Sequence, residues 1–166
     1  MSSTFLLLLL ALAVAAVPVR ASSAYNSTEK VVAVVEGMVY CQKCKYAGTW
    51  NLHGARPLAA AKVTITCKSP RRRVVFHRAV STDTNGYFYS SLEGGRGGHF
   101  DPVKACVVRL LASRDATCNK LTNVNYGIEG AALRCENKTI AGGQYVKDFY
   151  AAGPLAFRPV RCAPRY

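Results

Sequence analysis

The sequence predicts an all-β domain, an antiparallel barrel or sandwich of about seven strands stapled by three disulfides. Three observations point there. Runs rich in β-branched and aromatic residues alternate with Gly, Pro and Asn turn signals. Helical periodicity is scarce throughout. Seven cysteines follow an N-terminal apolar leader, the pattern of a secreted disulfide framework with one thiol left over.

The leader comes first. Phe5 to Val17 carries no charge; it is too short to span a bilayer, which takes about 20 apolar residues, and suits the apolar region of a signal peptide. Val19-Arg20-Ala21 has cleavage-like spacing, so residues 1–21 are read as a signal peptide and the protein as secreted. No later apolar stretch is long enough to span a membrane, and Ala163-Pro164-Arg165-Tyr166 is no retention or lipid-anchor signal. The polar residues 22–30 form a tail, and residues 31–166 make one domain. A chain of that length buries roughly two-thirds of its unfolded surface, so disulfides reinforce its core rather than replace it. Asn26 and Asn137 head glycosylation acceptor triplets and are expected on the surface.

The strands follow in order. Val31–Tyr40 is β-rich and free of proline, with Gly37 a candidate bulge. In Lys62–Cys67, Val63, Ile65 and Cys67 face one way and Lys62, Thr64 and Thr66 the other, so the strand is half-buried. Ser69-Pro70 ends it, and Arg73–Val80 returns. Asp83-Thr84-Asn85-Gly86 is a tight turn, because Asn-Gly accepts positive φ at little cost. It leads into the aromatic strand Tyr87-Phe88-Tyr89. Gly94–Gly98 reads as a flexible loop. Val103–Leu111, Gln144–Tyr150 and Leu155–Val160 complete the set.

The formal net charge is +13, of which one charge, Arg20, lies in the leader. Such a potential favours polyanions, which outside a cell are chiefly acidic polysaccharides. The densest cationic run is Lys68-Ser69-Pro70-Arg71-Arg72-Arg73, placed in a hairpin loop. Arginine forks grip carboxylates bidentately, which suits uronate groups. The competing readings are a solvated, solubilising face or a protease-processing site. Lys43 and Lys45 lie by the first cysteines, and His77 and Arg78 follow in the next strand.

Four ordered blocks resemble a known family. Val35-Glu36-Gly37-Met38-Val39-Tyr40-Cys41-Gln42-Lys43-Cys44 resembles the Gly-x-Val-Tyr-Cys-x-x-Cys opening of plant Ole e 1-like pollen allergen and extensin domains. Pro57–Cys67 resembles the family's second block, and Thr82-Asp83-Thr84-Asn85-Gly86-Tyr87-Phe88 its Thr-Asp-x-x-Gly-x-Phe turn. Gly153–Cys162 is similar to the close of the cysteine-containing C-terminal domain of non-classical arabinogalactan proteins. The resemblance implies a β-barrel-like fold and the pairs Cys41–Cys118, Cys44–Cys162 and Cys67–Cys106, which leaves Cys135 unpaired and outside the pattern. Ala60-Ala61 departs from the family's usual Gly-Ala. A proline- or histidine-rich N-terminal region is missing, so a hydroxyproline-rich glycan carrier is not expected.

Catalytic chemistry finds little support. Cys41-Gln42-Lys43-Cys44 lacks the following helix that lowers a redox thiol's pKa, and no second Cys or His pair stands at zinc-site spacing. Two separate structural disulfides are the simpler reading. His53, His77 and His99 are scattered, whereas ribonuclease-type chemistry needs a base and an acid converging on one phosphate. Asp83, Glu93 and Asp101 form no recognisable carboxylate pair. Tyr87 and Tyr89 share one strand face; packing is their plainest use, with sugar stacking or oxidative cross-linking as alternatives.

The sequence therefore predicts a secreted, non-enzymatic protein of the plant cell wall with no cofactor and no metal. It is expected to bind acidic, pectin-like polysaccharide through Lys68, Arg71, Arg72 and Arg73, with other wall glycoproteins as further partners and without nucleic acid or a membrane span. The alternative is a secreted signalling ligand for a receptor ectodomain in growth or reproduction.

Overall fold

The structure, a computed structural model, describes residues 30–93, 100–143 and 145–162. The leader, the tail with Asn26, the glycine loop Gly94–Gly98 and His99 lie outside the described residues.

Two sheets pack face to face. The larger is built on β1 (Lys30–Cys41) and β10 (Tyr145–Arg158), with β2 (Arg56–Pro57) and β5 (Tyr87–Ser91) on β1 and β7 (Lys120–Leu121) and β9 (Arg134–Gly142) on β10. The smaller runs in the order β4 (Val74–Ser81), β3 (Ala61–Lys68), β6 (Cys106–Ser113), β8 (Ala131–Ala132). Among the described residues, seven of these strands are longer than two residues. The architecture is a sandwich, not a closed barrel.

The core lies between the sheets and follows the period-two alternation of the strands. Val35 and Val39 of β1 face Val63 and Ile65 of β3 and Val108 of β6, all fully buried, with Phe88, Leu155 and Phe157 filling the space beside them. Cys67 and Cys106 sit directly opposite each other on β3 and β6 and are bridged. Cys41–Cys118 and Cys44–Cys162 tie β1 and the turn after it to distant loops. The three bridges span 39, 77 and 118 residues of chain. Closing loops of that size is worth roughly 4–5 kcal/mol each in the chain-entropy picture.

Three sequence expectations need correction. The central pair of the larger sheet, β1 with β10, is parallel, with Lys30 beside Tyr145 and Val35 beside Tyr150. A parallel pair buried on one face shows the same residue pattern as an antiparallel one, so periodicity could not separate them. Second, Gln144–Tyr150 and Leu155–Val160 are not two strands, since β10 runs through Gly153-Pro154. The register slips there, where β10 carries an extra residue opposite the step from Gly37 to Val39, and the Pro154 carbonyl accepts from Asn125 Nδ2 at 2.7 Å. Third, Val103–Leu111 starts as a helical turn, α1 (Pro102–Ala105). The Asp101 carboxylate accepts from the Val103 N–H at 3.0 Å, and proline stands at the first helical position; the strand begins only at Cys106.

The Asp83–Gly86 turn is built as its residues demand. Asp83 Oδ1 accepts from the N–H groups of Asn85 and Tyr87 at 2.8 and 2.9 Å. Gly86 has φ +74°, and a Cβ there would lie 2.6 Å from the Val39 carbonyl.

Candidate functional site: a basic hairpin and its neighbouring surfaces

Lys68 ends β3, and residues 69–73 form the loop to β4. The loop is ordered by its own backbone: the Ser69 N–H donates to the Arg73 carbonyl and the Arg72 N–H to the Ser69 carbonyl, both at 2.8 Å. Arg72 takes φ +59°, a left-handed conformation that lets the chain reverse after Pro70. The Cys67–Cys106 bridge pins the root of this hairpin to β6. Lys68, Arg71, Arg72 and Arg73 are all exposed, and among the described residues none has a carboxylate within 4.0 Å. Their charge is therefore available to an external anion.

Beside the hairpin lies a recess of about 500 Å³ lined by Lys68, Ser69, Pro70, Val75, Phe100 and the α1 turn. Lys104 and Asp101 pair across 3.4 Å at its rim. Phe100 and Lys104 were not legible as site residues, because only the α1 turn after Asp101 brings them alongside the hairpin.

The other cations named from sequence have different settings. Arg78 donates to Ser90 Oγ and the Ser91 carbonyl at 3.2 and 3.1 Å and lies over the Phe76 ring, so it joins β4 to β5. Lys45 lies over Tyr46, and Lys43 is exposed beside the first turn. His77 is exposed, its Nδ1 2.9 Å from Thr66 Oγ1, and His53 meets the edge of Tyr46. These two histidines share no polar partner. Asp83 is spent on its turn and Glu93 pairs with Lys30. Among the described residues no cluster of three or more metal-ligating side chains forms.

Tyr87 and Tyr89 point away from the core on β5, on either side of the buried Phe88. Tyr87 and Tyr89 stack with centroids 6.2 Å apart. Tyr89 is 67% exposed, which excludes it from the core. Tyr87 donates its phenol to Glu36 at 2.5 Å. Burial first, and that hydrogen bond second, push its pKa above the usual tyrosine range. Cys135 is a free, exposed thiol on β9, two residues from Asn137.

No family model matches the chain. It is 34% identical over 139 residues to "Non-classical arabinogalactan protein 30" of Arabidopsis thaliana, across 81% of this chain and 55% of that protein. It is 27% identical over 132 residues to "Pistil-specific extensin-like protein" of Nicotiana tabacum, across 75% of this chain and 30% of that one. The chain thus spans about half or less of the length of these relatives. Among solved structures, the major plantain pollen allergen Pla l 1 matches with a TM-score of 0.54 at 23% identity, covering 81% of this chain and 99% of the allergen. That likeness concerns the fold.

Proposed function

Since this chain is a relative of the arabinogalactan and extensin-like proteins and carries the fold of the Ole e 1 pollen allergens, we propose that it is a secreted cell-wall protein that binds acidic polysaccharide without catalysis. The observation that carries this reading is the hairpin: four exposed cations without an internal partner among the described residues, on a loop held by its own hydrogen bonds and anchored by a disulfide. A loop already ordered loses little freedom on binding. The rigid guanidinium forks of Arg71 and Arg73 suit a row of uronate carboxylates. Lys68, facing the recess with Phe100, offers a second kind of contact to the same chain.

The test is binding of the protein to galacturonan at low and high salt, beside a variant with Arg71, Arg72 and Arg73 changed to Ser. Exposed charge pairs are worth about 0.2–1 kcal/mol each, so the triple change should weaken binding about tenfold or more, and added salt should do the same. Galacturonan binding that ignores both salt and the triple change would sink the proposal.

A further inference from the structure

The outer face of the larger sheet holds a groove of about 530 Å³ that the hairpin does not touch. Its floor is apolar: Val32, Val34 and Phe149, each 9% exposed or less. They share a face because Val34 pairs with Phe149 and Val32 with Lys147 in register. An exposed aromatic ring stands at each end. Tyr145 lies beside Lys30, and Tyr89 beside Glu36, six residues apart along β1, or about 20 Å.

The polar groups of this groove close on one another. Glu36 takes the Tyr87 phenol and pairs with Lys138 at 3.7 Å, and Glu93 pairs with Lys30 at 3.8 Å. Lys147 is the remaining cation, with no carboxylate within 4.0 Å among the described residues. Nothing here attracts a polyanion as the hairpin does. Beneath the groove the backbone groups of β1 and β10 are bonded within the ladders β5–β1–β10–β9, so a peptide lying across it would find no free strand edge of β1 or β10 there. An apolar floor, two exposed phenol rings and a hydroxyl-bonding rim instead match a sugar ring, which shows a C–H face to an aromatic surface and hydroxyls at its edge.

We infer that this groove is a second glycan site, in which a chain of neutral hexopyranose rings lies along β1 with rings stacked on Tyr89 and Tyr145. The separation of the two rings calls for a polymer segment rather than a single sugar. Lys147, midway along the floor, donates to a ring oxygen or an occasional carboxylate. The site is independent of the hairpin and its charge.

The experiment is titration of the full mature protein with neutral galactan and cellulose oligosaccharides, followed by calorimetry and by the ring resonances of the tyrosines. Binding should persist in high salt and in the variant with Arg71, Arg72 and Arg73 changed to Ser. Tyr89→Ala and Tyr145→Ala should each weaken it about tenfold, whereas Tyr89→Phe, which keeps the ring, should retain it. Circular dichroism of each variant checks that the exposed changes leave the fold intact. The single tryptophan, Trp50, lines a different recess with Leu121 and Ile128, so its fluorescence should not move. Binding unaffected by either tyrosine change, binding reported by Trp50, or no binding of either oligosaccharide would each overturn the inference. Loss of galacturonan binding in the arginine variant with galactan binding intact separates this site from the hairpin.

Discussion

Tyr87 on β5 and Glu36 on β1 meet through a single hydrogen bond of 2.5 Å, phenol to carboxylate, and Lys138 of β9 closes on the same carboxylate from the far side at 3.7 Å. Three strands that are distant in sequence are joined at one acidic group.

That bond makes an alkaline prediction. Burial and the Glu36 carboxylate raise the pKa of Tyr87, and burial raises that of Tyr150. A group whose folded pKa lies above its unfolded value stabilises the fold at lower pH and loses that contribution as pH rises past the unfolded value, about 10 for tyrosine. Stability should therefore fall as pH rises above about 10. Tyr87→Phe should flatten the decline, and an ultraviolet titration should lose one late-ionising phenol. Loss instead of a phenol that ionises near the ordinary value of about 10 would show that Tyr87 ionises like the others.

Asp115 supplies the acid counterpart. Its carboxylate pairs with Arg56 of β2, and Oδ1 accepts from the Thr117 N–H at 2.8 Å. The Arg56 contact, first, and the Thr117 contacts lower its pKa from 3.8 to about 2. The stabilisation is present above about pH 4, the unfolded value, and lost as pH falls through about 2. Asp115→Asn should destabilise the protein at neutral pH, and urea melts of the two proteins should converge near pH 2. A difference that stays constant across that range would contradict the assignment.

Gly37 is required for space rather than for backbone freedom. A Cβ there would lie 2.4 Å from the Ala152 carbonyl and 2.7 Å from the Phe88 ring. Gly37→Ala should cost about 1–3 kcal/mol by overpacking, read as a lower thermal midpoint. Adding Phe88→Leu should recover only part, because the Ala152 carbonyl belongs to the backbone. Gly142→Ala, with nothing within 4 Å of the new methyl, serves as the neutral control.

Cys135 should react with a thiol reagent in the native protein, one equivalent per chain, and Cys135→Ser should abolish the reaction, since the other six cysteines are bridged. Peptide mapping without reduction checks the same point, and a fragment linking Cys135 to a framework cysteine would refute it. Replacing Cys67 and Cys106 together by Ala should cost about 4 kcal/mol in the chain-entropy picture, measured by denaturant unfolding.

Most of the fold was legible where burial imposes alternation. β3 and β4 read directly from Val63, Ile65 and Cys67 and from the Ser69-Pro70 stop, and the Asn85-Gly86 turn announced β5. β9 escaped because Arg134–Gly142 is exposed along its whole length, so no apolar period marks it. The parallel partnership of β1 and β10 is a long-range choice that neither strand's residues encode alone. The cationic hairpin was visible as a charge run in a loop, whereas the aromatic groove was not. Tyr89 and Tyr145 lie far apart in the chain, and only the register of β1 between β5 and β10 puts them on one face.

The parallel pairing also governs when the domain can exist. During synthesis β1 emerges well before β10, so one edge of this apolar strand stays unpaired until Tyr145–Arg158 is made, although β2 and β5 can already join its other edge. Non-local pairing of this kind folds slowly and leaves intermediates exposed. A chain stalled before Tyr145 lacks the strand on which β1, β7 and β9 all pair, and also Cys162, the partner of Cys44. The strand Tyr145–Arg158 works as a keystone: it alone joins β1 to β7 and β9, so without it the larger sheet falls into separate pieces.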